Sequence, residues 1–391
     1  MTTYLLAGGG TAGHVNPLLA VADRLRVREP DATVLVLGTA EGLESRLVPQ
    51  RGYELLTVPR LPFPRRPSAA AVRFPRRLAS AVEGIRSLVA KHEVDVVVGF
   101  GGYAAAPAYV AAWRSKVPVV VHEANAKPGM ANVLGSFLSS HVGVVFRSTR
   151  LRGARQVGMP LRDEIETLDR RAHRDEAVEA FGLDSARPTL LVTGGSTGAR
   201  RLNETMARAA VSVLGAGWQV LHITGEKSDL TSTDLAGHHL LRYCDRMDLA
   251  LSAADFVVSR AGSATVSELT ALGLPSVLVP YPVGNGEQRH NATDVVGAGG
   301  ALLVADADFT PSWVSSTLVP LLLDRALVAD MAVRAASVGV RDGTDRTVDL
   351  VLDAVGRAST SRSAPARPAP PRPGTTRPAP SRPNPDLSET S

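Results

Sequence analysis

Gly8, Gly10 and Gly13 stand in the order G-x-G-x-x-G, and His14 follows at once. Glycines at that spacing let backbone N–H groups close on a pyrophosphate at the start of a helix. His14 falls in the first turn of that helix, where the dipole disfavours an imidazolium and leaves a neutral ring able to accept a proton. The plain alternative is a polar residue that caps or packs. A dinucleotide site needs an acid at the tip of the next strand for the ribose, and the next apolar run ends instead in Val36-Leu37-Gly38-Thr39.

A second glycine cluster, Gly194-Gly195-Ser196-Thr197-Gly198, fits the nucleophile elbow G-x-S-x-G. The histidines that follow it (His222, His238, His239, His290) lack an acid in the order a serine hydrolase requires. The same residues make a better phosphate loop: the glycines free the backbone, Ser196 and Thr197 bring hydroxyls, and Arg200 and Asn203 follow on the helix. In residues 259–268, small side chains, among them Ser263, Ala264 and Thr265, open another helix whose free amides suit a diphosphate without a metal. Glu268, under two turns on, can accept from both hydroxyls of a ribose or be an ordinary first-turn acid. Asp306-Ala307-Asp308 spells the D-x-D of some metal-dependent sugar transferases, yet it precedes the helix entry Phe309-Thr310-Pro311 and reads as loop and cap. No metal site is expected.

These groups need elements to hold them. Short apolar runs alternate with stretches of helical period: residues 4–7 before 15–28, 33–37 before 41–50, and 94–98 before 104–113. Strands that are apolar on both faces, with helices between them, imply parallel sheets covered on both sides. The opening also recurs: residues 5–14 (LLAGGGTAGH) resemble residues 191–200 (LVTGGSTGAR), each before an amphipathic helix. The expected fold class is α/β, with two Rossmann-like doubly wound parallel-sheet domains facing across a cleft and ligands at the carboxyl ends of the strands. Met159-Pro160 interrupts the pattern and places the joint near residues 158–167. The expected division is 1–160, with a C-terminal helix at about 341–356 packing back on it, then 161–340, then a tail at 357–391.

A chain of 391 residues suits two domains and a remainder, and an apolar fraction of 44% excludes fibrous and wholly disordered classes. The formal charge is +5, but residues 357–391 hold six arginines against two acids, together with nine of the 27 prolines. Most of the net charge therefore belongs to a segment that reads as a disordered tail. Residues 60–77 gather Arg60, Arg65, Arg66, Arg73, Arg76, Arg77, Phe63 and Phe74, with no acid between Glu54 and Glu83. Apolar wedges among arginines suit an anionic membrane surface, and a solvated loop is the bland alternative. Nucleic acid is not expected, because no stacking array accompanies the charge. Cys244 is the only cysteine, which excludes an intramolecular disulfide and a thiolate metal cluster. The start of the chain reads as neither a signal peptide nor an apolar anchor, and the expected compartment is the cytoplasm.

Seven segments occur in order: residues 8–17 (GGGTAGHVNP), 99–103 (GFGGY), 122–129 (HEANAKPG), 158–162 (GMPLR), 194–203 (GGSTGARRLN), 259–268 (SRAGSATVSE) and 284–292 (GNGEQRHNA). Together they resemble the MurG family of GT-B glycosyltransferases, over a span from Leu5 to about residue 355. The resemblance implies an inverting, metal-independent transferase that moves GlcNAc from UDP-GlcNAc to the C4 hydroxyl of MurNAc in undecaprenyl-diphospho-MurNAc-pentapeptide (lipid I). The product is lipid II, for peptidoglycan, and UDP-GlcNAc is a substrate with no cofactor beside it. The C-terminal half is implied to bind the donor. Ser196 and the amides near Ser263, Ala264 and Thr265 would meet the diphosphate, Arg162 and the Cys244 backbone the uracil, Glu268 the ribose, Glu287 and Gln288 the sugar, with Asn203 nearby. The N-terminal half is implied to bind the acceptor, its diphosphate on Gly10, Thr11, Ala12 and Gly13, with His14, Tyr103 and Asn125 lining the cleft. Catalysis would fall to His14, Asn125 and Glu268, with His14 either the base or the group that orients the acceptor phosphate. The resemblance further implies a peripheral position on the cytoplasmic face of the cell membrane and partners in the cell-wall and division machinery. Met159, Ala124, Thr197 and Glu287 depart from the family pattern, and the carboxylate of Glu287 accepts from a sugar hydroxyl but cannot donate. An epimerase on the same fold and an inactive membrane-bound scaffold are the competing classes.

Overall fold

The computed structural model describes residues 1–64, 69–230, 232–283 and 285–363, without the side chains of Ala70 and residues 359–363. Arg65, Arg66, Gly284 and the expected tail from residue 364 lie outside the described residues.

Apolar runs form the central strands of two sheets whose strand pairs are all parallel, with more polar strands at the edges. The first comprises β1 (Thr3–Ala7), β2 (Thr33–Gly38), β3 (Glu54–Thr57), β4 (Val96–Gly99), β5 (Val119–Glu123), β6 (His141–Val144) and β7 (Ala154–Gln156), in the order β3-β2-β1-β4-β5-β6-β7. The second comprises β8 (Thr189–Thr193), β9 (Gln219–Ile223), β10 (His238–Leu241), β11 (Phe256–Ser259), β12 (Ser276–Leu278) and β13 (Ala301–Leu303), in the order β10-β9-β8-β11-β12-β13. Both are doubly wound. Each strand order reverses once, between β1 and β4 and between β8 and β11, and at such a switch point the loops part to opposite faces and open a crevice.

Successive residues of a strand feed opposite faces. Tyr4 and Leu6 pack with Val15 and Leu18 of the helix Ala12–Arg28, while Leu5 and Ala7 pack with Ile85 and Tyr109 of the helices Ala69–Lys91 and Ala105–Arg114. In the second sheet, Leu190 and Val192 meet Leu202 and Met206 of the helix Arg200–Gly215, and Leu191 and Val257 meet Val266 and Leu269 of the helix Ser263–Ala271. Burial of such a side chain contributes about 1.5–3 kcal/mol, and burial on both faces is why these strands read as unbroken apolar runs.

The helix Gly343–Ser363 returns to the first sheet, where Val348, Leu350, Val351 and Ala354 join the core that holds Val120 and Val157. Arg24 pairs with Glu166 at 3.0 Å and with Asp345, and Arg28 pairs with Asp349 at 3.0 Å. The helix runs past residue 356, its expected end, because Arg357 pairs with Asp353 one turn back at 2.9 Å and no proline interrupts the chain before Pro365.

Candidate active site

At the first switch point the turn after β1 meets the turn after β4. Gly102 has φ +80°, and a Cβ there would lie 2.4 Å from the Gly9 carbonyl oxygen, so the two turns touch backbone to backbone and require glycine. In the second half the turn after β8 closes instead on the turn after β9: Gly198 has φ +84°, and its Cβ would lie 2.3 Å from the carbonyl oxygen of Thr224.

His14 stands in the first turn of its helix with Nδ1 3.2 Å from the Gly9 carbonyl oxygen and 3.2 Å from Thr11 Oγ1. A carbonyl only accepts, so Nδ1 carries the proton and the lone pair is left on Nε2. Burial pushes the His14 pKa below its ordinary value, against the opposing pull of Glu123, the Gly9 carbonyl and Glu44. The ring is a neutral acceptor. Its neighbour Gly10, expected to offer its amide to a diphosphate, gives it instead to Glu44 Oε2 at 2.8 Å. Burial raises the Glu44 carboxyl, but the amides of Gly10 and Thr39 outweigh this and hold it below its ordinary value. Thr11 and Ala12 are exposed and Gly13 is half-buried at the helix mouth, whose first N–H groups have no intrahelical partner.

Glu123, at the end of β5, organises the loop that follows. Its Oε1 accepts from the Asn125 amide at 2.8 Å, and its Oε2 accepts from the Gly129 amide and from Asn132 Nδ2, each at 2.9 Å. Asn132 also accepts from the Tyr109 hydroxyl at 2.7 Å. His122 beside it donates from Nε2 to the Gly158 carbonyl at 3.1 Å, and burial lowers its pKa to about 4. Asn125 lies at the seam between the halves: its Oδ1 is 3.3 Å from Asn291 Nδ2, Asn291 Oδ1 accepts from the Ala126 amide at 2.9 Å, and Asn291 Nδ2 reaches the Ala261 carbonyl at 3.3 Å. Tyr103 is half-buried under the Arg60 guanidinium, 4.7 Å from ring centroid to Cζ.

In the C-terminal half a cavity of about 410 Å³ is walled by Arg162, Ser196, Cys244, Thr265, Glu268 and Gln288, all expected there, and also by Tyr243, Met247 and Arg260. Arg162 Nη2 lies 3.8 Å from Glu268 Oε1. Burial raises the Glu268 pKa and the Arg162 charge opposes the rise. Gln288 accepts from the Tyr281 amide at 2.9 Å, which leaves its NH2 group to donate. Ser263 and Ala264 start the helix Ser263–Ala271 just behind this wall, and the Ser263 hydroxyl and Glu287 Oε2 are buried without a protein partner. Burial pushes the Cys244 thiol up to about 11, so only its backbone suits a polar ligand.

Asn203 stands apart from the other residues expected at the donor. It lies off this cavity, 3% exposed on the buried face of its helix, donating to the Thr224 carbonyl at 2.7 Å and to Ser228 Oγ at 3.1 Å and accepting from His222 Nε2 at 3.1 Å. It braces the turn against which Gly198 presses. Asp306 binds Arg260 at 2.6 Å and Arg201 at 3.3 Å, and Thr310 caps the next helix, so the D-x-D is loop and cap. Among the described residues no three His, Cys, Asp or Glu side chains gather to hold a metal ion.

On the surface, Phe63 is 55% exposed and meets Phe74 edge to face at 5.3 Å, with Arg73, Arg76 and Arg77 exposed on the same helix as Phe74. A feature the sequence reading missed is the helix Met130–Leu138. It buries Asn132, Gly135 and Ser136 and exposes Met130, Val133, Leu134 and Phe137, with Arg152 over the Phe137 ring at 5.6 Å. No helix among the described residues is long and apolar enough to cross a membrane.

Two switch points, one holding a histidine in the first turn of its helix and one a carboxylate beside a cavity, stand in two parallel-sheet halves, the architecture of two-domain glycosyltransferases. The glycosyltransferase family 28 N-terminal domain matches residues 4–144, and the family 28 C-terminal domain matches residues 189–347. The chain belongs to glycosyltransferase family 28. It is 63% identical over 358 residues to the UDP-N-acetylglucosamine–N-acetylmuramyl-(pentapeptide) pyrophosphoryl-undecaprenol N-acetylglucosamine transferase of Leifsonia xyli subsp. xyli, covering 92% of this chain and 100% of that one. The crystal structure of Acinetobacter baumannii MurG superposes with a TM-score of 0.75 at 28% identity, covering 90% of this chain and 100% of that one. The MurG-type resemblance and the GT-B architecture read from the sequence are both shown. A Listeria monocytogenes protein described as a putative UDP-N-acetylglucosamine 2-epimerase shares the fold at 14% identity and a TM-score of 0.63, over 94% of this chain and 99% of that one, which speaks for architecture alone.

Proposed function

We propose that the protein transfers GlcNAc from UDP-GlcNAc to the MurNAc C4 hydroxyl of undecaprenyl-diphospho-MurNAc-pentapeptide, with inversion and without a metal, as a step of peptidoglycan synthesis. The observation that carries this reading is the 63% identity to the Leifsonia transferase, which spans both halves and hence both substrate sites. Residues 1–160, with the returning C-terminal helix, take the acceptor and residues 161–340 the donor. His14 Nε2 removes the proton of the acceptor hydroxyl as its oxygen bonds to the sugar C1. The C1–O bond to UDP breaks at the same time and UDP leaves with the electron pair. The N–H groups at the start of the helix Ser263–Ala271, the Ser263 hydroxyl and the turn at Gly194–Ser196 stabilise the departing diphosphate. Glu268 accepts from the ribose hydroxyls, Arg162 and the Cys244 backbone hold the uracil, and Glu287 and Gln288 supply an acceptor and a donor to the sugar hydroxyls.

The acceptor's lipid tail places the work at a membrane. Phe63, Phe74, the exposed face of Met130–Leu138 and the arginines around them supply an apolar surface ringed by cations, suited to a peripheral position on an anionic leaflet at the cytoplasmic side. Cell-wall and division proteins are the partners that such a position favours. The test mixes purified protein, UDP-GlcNAc and a short-chain lipid I analogue in EDTA and follows UDP release and product mass. Absence of the disaccharide product sinks the assignment, and strict dependence on an added divalent ion overturns the metal-free route.

A further inference from the structure

Glu44 is a carboxylate sealed beneath a loop that, in the proposed reaction, must hold an anion. It is 1% exposed. Three glycines make its space: a Cβ on Gly9, Gly38 or Gly42 would fall 2.2, 2.5 or 2.0 Å from a Glu44 side-chain atom. Both its oxygens are engaged, Oε2 accepting the Gly10 N–H at 2.8 Å and Oε1 accepting the Thr39 N–H at 2.9 Å and the Thr39 hydroxyl at 2.8 Å. The Gly10 N–H belongs to the same planar peptide unit as the Gly9 carbonyl, and that carbonyl, on the opposite side of the unit, accepts from His14 Nδ1 at 3.2 Å. One rigid peptide thus joins the carboxylate to the imidazole. A hydrogen bond at one end polarises the unit and strengthens the bond at the other.

We propose that Glu44 is the positioning residue for proton transfer at His14. Through the Gly9–Gly10 peptide it fixes the proton on Nδ1 and keeps the Nε2 lone pair toward the acceptor. It also withdraws the Gly10 amide from anion binding, which leaves the acceptor diphosphate to the N–H groups of Thr11, Ala12 and Gly13. This rests on His14 acting as the base, as proposed above. The charged groups that act on His14 are Glu44 on one side and Glu123 on the other, both raising its pKa, with the neutral His122 close by.

The test compares Glu44→Gln with the parent and with His14→Ala. Glutamine keeps the shape but offers one acceptor oxygen where two N–H groups point, and it removes the charge. In Glu44→Gln, kcat per folded protein is expected to fall about 10- to 100-fold, the scale of a mispositioned catalytic group. The donor KM is expected to stay unchanged and the acid limb of the kcat/KM profile to move to lower pH, since a charge that raised the His14 pKa is gone. Nitrogen-15 spectra of histidine-labelled protein read the tautomer without turnover, and the Nδ1–H form of the parent should give way to Nε2–H in the variant. An unchanged tautomer overturns the proposal, as does a loss of activity that merely follows the folded fraction in thermal melts with the pH profile unmoved. If the parent makes no disaccharide, or His14→Ala keeps the parental kcat, the base assignment falls, and the tautomer spectra still decide the part played by Glu44.

Discussion

In the proposed reaction His14 is the base, and its state follows from two features of its place: burial disfavours the cation, and the Gly9 carbonyl claims the Nδ1 proton. His14→Ala should lower kcat by about 10²–10⁴, the range for loss of a general base, and an unchanged kcat in steady-state assays retires it from that role. The group must be unprotonated to act and its pKa lies below the ordinary histidine value, so the acid limb of kcat/KM is expected below about pH 6.5. A limb above that value contradicts the assignment. On the donor side, Glu268→Ala should raise the UDP-GlcNAc KM about 10- to 100-fold, as expected for losing hydrogen bonds to a charged acceptor, with a smaller change in kcat. His14 and Glu268 were legible in the sequence because each sits within a few residues of its own glycine or small-residue turn. Glu44, Glu123 and Asn291 were not. Glu44 meets Gly10 across 34 positions and Asn291 meets Ala126 across 165, and no local pattern encodes such a meeting.

At the scale of elements, the helix Met130–Leu138 runs against the usual rule. Its apolar residues recur at i, i+3, i+4 and i+7, the spacing of a core-facing stripe, yet Met130 and Phe137 are each 63% exposed and the polar Asn132 is 2% exposed. The reason is Glu123: its carboxylate needs donors, and the helix turns Asn132 inward to supply one. Replacing Met130 and Phe137 with Ser should leave stability within about 0.5 kcal/mol, as for surface sites, while reducing flotation with liposomes of anionic lipid. Undiminished flotation removes this face from the membrane contact. Asn132→Ala, by contrast, strips a donor from Glu123 and an acceptor from the Tyr109 hydroxyl, and should cost about 1–3 kcal/mol in denaturant unfolding. The two sheets and the helices of the glycine turns were readable from their apolar periods, whereas the sense of this helix depended on a charge that the sequence shows only as one letter at the end of a strand.

The molecule as a whole is two repeats of one plan, tied by a chain that crosses over and comes back. Truncation after Asp342 would expose the core that Val348, Leu350, Val351 and Ala354 now cover, all but the alanine worth about 1.5–3 kcal/mol apiece. Such a protein is expected to show a large fall in melting temperature or to fail to fold, and parental melting behaviour would mean that the returning helix is dispensable. The sequence by itself determined the two α/β halves, the glycine turns, the place of His14 in the first turn of its helix and the kinship, because each of these is written in short runs whose period or composition acts locally. Only the tertiary structure decided that the Gly10 amide is already taken, that Asn203 braces a turn and leaves the cavity wall to others, that Asn291 spans the seam, and which way the Met130–Leu138 helix faces. These depend on hydrogen bonds between groups far apart in the chain. A buried donor or acceptor must find a partner wherever the fold brings one, and that partner is named only when the fold is complete.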